Sequence, residues 1–129
     1  MLKGTKGQIE AEISRAIVKL EQDYFGRGPL EAKTRILDNS IIIHLKGVLT
    51  PAERQLAKDS DGVALIKGMR AQLFEGARTK LEEIIAEITG SRVLALHADI
   101  STRTGERLIA FTLDKDLEKI IGPQQRGSR

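Results

Sequence analysis

The chain has 129 residues, enough to bury a core without help from a metal or a disulfide. It has no cysteine, which excludes a disulfide framework, Cys-based zinc or iron–sulfur sites and thiol catalysis. Lys and Arg number 21 against 18 Asp and Glu, and the net charge of +3 is too modest to point to nucleic acid.

Residues 5–24 carry a helical pattern. Ile9, Ile13, Ala16, Ile17, Leu20 and Tyr24 form one stripe, with Glu10, Glu12, Arg15, Lys19 and Glu21 on the wet side. Thr5 and Gln8 suit a capping box, and Gly26-Arg27-Gly28-Pro29 stops the helix. Residues 32–37 and 41–48 read as two strands around the turn Asp38-Asn39-Ser40. Ile41, Ile43 and Leu45 share one face, and Ile42, His44 and Lys46 the other, as in a sheet covered on one side.

Thr50-Pro51-Ala52-Glu53 is a strong helix start, with a cap, a proline at the first position and a Glu to close the box. Asp59-Ser60-Asp61-Gly62 interrupts that helix. Asp61 or Ser60 then caps a longer one ending near Gly90, with Ile66, Met69, Leu73, Ala77, Leu81, Ile84 and Ile88 as its stripe. Gly68 and Gly76 weaken it unless close packing needs them. Residues 92–98 and 107–113 form a second hairpin around a loop from Asp99 to Glu106. Asp116 to Ile121 suits a short last helix, and a polar tail over 122–129 is expected to be disordered.

The expected fold class is α+β, in the order α-ββ-αα-ββ-(α). Residues 1–121 form one domain with a four-stranded antiparallel sheet and helices packed on one face. The uninterrupted apolar runs, such as Val63 to Ile66 and Val93 to Leu96, fall far short of the roughly 18 residues that a membrane helix needs. No apolar signal segment follows Met1, so a soluble, cytoplasmic protein with no direct membrane insertion is expected.

Groups for catalysis are few, and no metalloprotease, phosphate-loop, hydrolase-elbow or dinucleotide motif occurs. His97 and Asp99 share a strand face, and with His44 they offer at most a weak metal or acid–base set. The loop Ser101, Thr102, Arg103, Thr104, Gly105, Glu106, Arg107 is more suggestive. Its hydroxyls, backbone N–H groups and guanidinium groups suit an anion, although a polar hairpin loop whose hydroxyls satisfy their own backbone is the more common arrangement. Arg27 sits in a second basic loop. Gly4-Thr5-Lys6-Gly7 has the spacing of a nucleic-acid clamp but precedes a helix rather than joining two, and aromatic residues at 3% leave few stacking platforms. No cofactor is expected, and an enzyme is the least favoured class. A helix of roughly 40 Å over a sheet about 20 Å wide should overhang it, which points to a homodimer.

Several segments together resemble one family. These are Thr5-Lys6-Gly7-Gln8-Ile9-Glu10, Gly26-Arg27-Gly28-Pro29, Lys46-Gly47-Val48-Leu49-Thr50-Pro51-Ala52-Glu53, Asp99-Ile100-Ser101-Thr102-Arg103-Thr104-Gly105-Glu106-Arg107 and Phe111-Thr112-Leu113-Asp114. Over residues 5–121 the chain resembles the MpsC-like family, described as part of a sodium-translocating, membrane-potential-generating system. The resemblance implies no catalytic residues. Because ion translocation needs a path through the bilayer, it implies an accessory or regulatory subunit with a membrane transport protein as partner. An anion- or nucleotide-binding sensor is the alternative, and nucleic-acid binding is third.

Overall fold

A computed structural model describes residues 4–122. Its elements are α1 (Lys6–Phe25), β1 (Glu31–Leu37), β2 (Ser40–Lys46), α2 (Pro51–Leu56), α3 (Ser60–Thr89), β3 (Val93–Ser101), β4 (Glu106–Leu113) and α4 (Leu117–Ile121). The four strands form one antiparallel sheet in the order β1-β2-β4-β3. Helix α1 packs on β1, α3 packs on β3, and the two helices lie against each other across the same sheet face. The α+β class and the element order match the sequence reading.

Local chemistry accounts for the boundaries. Thr5 and Gln8 close a capping box on α1, and Thr50 and Glu53 close another on α2. Gly26 and Gly90 end α1 and α3 in the left-handed region, where a side chain would clash with its own backbone. Asp59, rather than Ser60 or Asp61, caps α3, its Oδ1 accepting from the Gly62 N–H at 2.8 Å. A Cβ at Gly62 would collide with the Leu56 carbonyl oxygen, so only glycine permits the tight corner between α2 and α3.

The core lies between the sheet and the α1–α3 layer. Ile9, Ile13 and Ile17 of α1 meet Ile36, Ile41, Ile43, Leu45, Ile109 and Phe111 of the sheet. Three expectations need correction here. Helix α3 buries Ile66, Arg70, Phe74, Ala77, Leu81 and Ile85, while Met69 and Leu73 face outward. Ile66, Ala77 and Leu81 are buried as expected, but between and beyond them the inner row runs through Arg70, Phe74 and Ile85 in place of Met69, Leu73 and Ile84, with Arg70 and Phe74 held by partners beneath the helix. In α1, Glu21 is buried and Tyr24 is exposed, the reverse of the amphipathic reading. The second hairpin is longer than expected: β3 runs to Ser101, and only Thr102 to Gly105 turn. A register break between Val93 and Ala95 resets the strand alternation, so Leu96 and Ile100 face the core and Leu94 is exposed.

No helix among the described residues is long and apolar enough to cross a membrane. The polar tail over 123–129 lies outside the described residues.

Candidate functional site

The core contains charge. Glu21 on α1, Arg70 on α3 and Arg107 on β4 are each 2% exposed, and Glu53 on α2 is 7% exposed. Each reaches the interior by the periodicity of its element. Glu21 follows Ile13 and Ile17 at four-residue steps, Arg70 falls between Ile66 and Phe74, and Arg107 shares its strand face with Ile109, Phe111 and Leu113. Burying such groups costs several kcal/mol each unless they are paired and hydrogen-bonded.

One pair is complete. Arg70 donates from Nε to Glu53 Oε2 at 2.8 Å and from Nη2 to Glu53 Oε1 at 2.7 Å, a two-pronged contact. Arg70 Nη2 also reaches the Val48 carbonyl at 2.9 Å, and Glu53 Oε1 accepts from the Thr50 N–H at 2.9 Å. Burial alone would raise the Glu53 pKa, but the hydrogen bonds from Arg70 and Thr50 together outweigh it and hold the carboxyl below its ordinary range.

The other pair is not complete. Arg107 Nε lies 3.4 Å from Glu21 Oε2, close enough for Coulombic attraction but not aligned as a hydrogen bond. Burial pushes the Glu21 carboxyl up, and the charges of Arg107 and Arg70 only partly offset it. Burial likewise pushes the Arg107 guanidinium down, against the pull of Glu21. Phe25 sits between the two cations, with its ring centroid 5.0 Å from Arg70 Cζ and 4.8 Å from Arg107 Cζ, and Phe74 lies 5.3 Å from Arg107 Cζ. These rings stabilise the guanidinium groups through their π faces. Among the described residues Arg70 Nη1, Arg107 Nε and Arg107 Nη2 find no hydrogen-bond acceptor. Nε and Nη2 form the side edge of the guanidinium, the same edge with which Arg70 grips Glu53. Such an edge matches the two oxygens of a carboxylate or phosphate.

Both arginines line a groove of about 590 Å³ between α3 and β3. Lys67 and Arg78 of α3 stand over it and reach the edge strand, donating to the carbonyls of Ile100 at 3.2 Å and Leu96 at 2.8 Å. Phe74, Leu96 and Ile100 supply apolar wall, and His97 lies at the rim. Asp99 pairs with Lys67 at 3.4 Å, and Glu75 approaches Arg78 at 3.5 Å. The Ile100 N–H, more than Lys67, holds the Asp99 carboxyl below its ordinary pKa. The groove thus offers four cationic side chains, two half-exposed and two buried, with acceptors for only some of their N–H groups.

The residues singled out from the sequence scatter. Arg107 and His97 line this groove, whereas Ser101, Thr102 and Arg103 line a neighbouring hollow with His44 and Glu106. The Ser101 hydroxyl accepts from the Thr104 N–H at 3.3 Å, and the Thr104 hydroxyl donates to Glu106 at 3.2 Å, so both serve their own turn. Gly105 supplies the positive φ of that turn, and its carbonyl accepts from Val48. Arg27 lies elsewhere, donating to the carbonyls of Leu49 and Gly47 at 3.3 Å and strapping the α1–β1 connection to the β2–α2 connection. His44 pairs with Glu106 at 3.0 Å. In the sheet register Leu108 stands between His44 and Asp99, which keeps them about two strand spacings, roughly 10 Å, apart. No group of three or more His, Asp or Glu among the described residues could hold a metal ion. Sequence reasoning missed Glu21, Arg70, Lys67 and Arg78.

Known proteins place the chain more firmly than its chemistry does. Residues 5–115 match the family model described as "Na+-translocating membrane potential-generating system (MpsC)". The chain is similar to "Uncharacterized protein YbcI" of Bacillus subtilis (strain 168), 48% identical over 118 residues, covering 92% of this chain and 95% of that protein. It is also similar to "Uncharacterized protein YrhF" of the same organism, 25% identical over 109 residues, covering 84% of this chain and 89% of that protein. No solved structure matches it. The chain belongs to the MpsC family.

Proposed function

We propose that this protein is an anion-responsive regulatory subunit whose α3–β3 groove binds a small oxyanion. The observation that carries the reading is the uncommitted edge of Arg107, buried against Phe25 and Phe74 at the groove wall. Leaving buried guanidinium N–H groups without acceptors costs free energy that an anion entering the groove recovers. Lys67 and Arg78, half-exposed above the groove, supply the long-range attraction. The competitor for the Arg107 edge is Glu21, a poor one because its Oε2 stands 3.4 Å from Nε without the alignment of a hydrogen bond.

The test is thermal unfolding with inorganic phosphate, sulfate and ATP as probes. Saturation at about a hundred times Kd should stabilise the fold by about 2.7 kcal/mol. The variant Lys67→Ala/Arg78→Ala should keep its unliganded Tm near wild type and lose most of the shift. Absence of stabilisation by every probe, or an undiminished shift in the double variant, would contradict the reading.

A second reading follows from family membership and concerns the target of the regulation. The family description names a sodium-translocating system, and no helix among the described residues is long and apolar enough to cross a membrane. Under this reading the protein is an accessory subunit that associates with a polytopic membrane protein and moves no ion itself. Affinity isolation in mild detergent should recover such a partner in stoichiometric amount, and recovery of the protein alone would count against it.

A further inference from the structure

The α3–β3 groove follows a free edge of the sheet. β3 is an outermost strand, and an unbroken run of it, from Leu96 to Ile100, lines the groove. Side chains of a strand alternate between faces, so an unbroken run means that the groove runs along the strand's edge. The Ser101 carbonyl accepts from the Gly105 N–H across the hairpin turn, which sets the phase of β3. Backbone groups of Asp99 and His97 then point to β4, and those of Leu96, Ala98 and Ile100 point to the free edge.

Side chains stand in for a neighbouring strand along this edge. The Ile100 N–H donates to Asp99 Oδ1 at 2.8 Å, and the Ile100 carbonyl accepts from Lys67 Nζ at 3.2 Å. The Leu96 carbonyl accepts from Arg78 Nη2 at 2.8 Å. Between them Ala98 is exposed, and no side chain among the described residues bonds its N–H or its carbonyl. Helix α3 leaves room there, because between Lys67 and Arg78 it turns Gly68 and Ala71 to the groove. From Leu96 to Ile100 the edge runs about 13 Å, enough for several residues of an extended chain.

Charge names the kind of chain. An added strand donates its own N–H groups to the Leu96 and Ile100 carbonyls and so frees Lys67 and Arg78. Every second side chain of that strand faces the helix side of the sheet, where Arg107 stands on β4 in register with Ile100. Acidic side chains at those positions meet Lys67, Arg78 and the open edge of Arg107. Asp99 and Glu75 already neighbour Lys67 and Arg78, but as exposed surface pairs they compete weakly.

We propose that the free edge of β3 binds an extended acidic peptide as a fifth strand, with one of its carboxylates on Arg107. The proposal rests on the oxyanion reading of the same groove and names a peptide carboxylate as the occupant. Main-chain hydrogen bonds give such a complex its affinity, and the alternate side chains give it selectivity.

The probe is the blocked peptide acetyl-Thr-Glu-Val-Glu-Val-Glu-Thr-amide, added to the full chain and followed by NMR and amide hydrogen exchange. Binding should be saturable and should slow exchange of the Ala98 N–H, and the same peptide with Lys in place of Glu should not bind. Ala98→Pro removes that donor at an edge position, where proline is tolerated. It should weaken the acidic peptide roughly tenfold, while the thermal shift with inorganic phosphate stays as in the wild type. The exchange measurement on the wild type stands whether or not the variant folds. Peptide binding that leaves Ala98 exchange unchanged overturns the proposal and shows that the side chains only guard the edge. Equal binding of the Lys peptide overturns it too. No binding of the acidic peptide while phosphate still stabilises the fold overturns the proposal and leaves the oxyanion reading standing. Failure of phosphate and peptide alike overturns both.

Discussion

The buried charges make sharp demands on single residues. Glu53 and Arg70 complete each other, so removing either leaves the other charged and buried. Arg70→Met should destabilise the fold by about 3–5 kcal/mol, read by denaturant unfolding, and Glu53→Leu in the same chain should recover a large part of that loss. Glu21 gives a pH signature of definite sign. Its folded pKa is raised above the ordinary 4.5. Its contribution to stability is therefore fully present below that value and is lost as pH rises through the folded pKa. Glu53 behaves oppositely: its pKa is lowered, and its contribution, present above 4.5, is lost as pH falls through the folded value. The unfolding free energy of the wild type relative to Glu21→Gln should thus be greatest in acid and decline as pH rises. A difference that stays flat with pH would contradict the assignment of Glu21 as a strained, buried carboxyl.

At the scale of elements, caps and corners do the positioning. Thr50→Ala removes the acceptor for the Glu53 N–H and should cost about 1 kcal/mol by thermal unfolding. Gly62→Ala should cost about 1–3 kcal/mol despite the better helix propensity, because the new methyl collides with the Leu56 carbonyl and forces the α2–α3 corner apart. The capping boxes were legible in the sequence because a cap is written in four consecutive residues. The face of α3 was not. From Ile66 a row can pass through Met69 and Leu73 or through Arg70 and Phe74 before either reaches Ala77 and Leu81, and polarity alone favours the one without Arg70. The same bias placed Glu21 in water and grouped Arg107, the first residue of the expected strand 107–113, with the polar residues of the preceding loop. All three charges are in phase with buried apolar neighbours, so phase would have found them where residue type misled. The break at Val93 and Ala95 is a different case, since an extra residue in a strand leaves no mark until its partner strand is known.

For the whole molecule, two helices on one sheet face leave a groove where α3 passes over the edge strand β3, and the buried ion pairs lie beneath it. The chain topology brings Glu21, Glu53, Arg70 and Arg107 together from four elements, a convergence that no local pattern announces. The groove looks inward to those charges, while Leu65, Met69 and Leu73 of α3 look outward. The central claim is that Arg107 holds an anion through its free edge. Its most direct test follows the arginine side-chain N–H signals by NMR while inorganic phosphate is added to the wild-type protein. The account predicts a saturable shift of the Arg107 Nε–H signal that is much weaker in Lys67→Ala/Arg78→Ala. An Arg107 signal that stays in place at every phosphate concentration would contradict it.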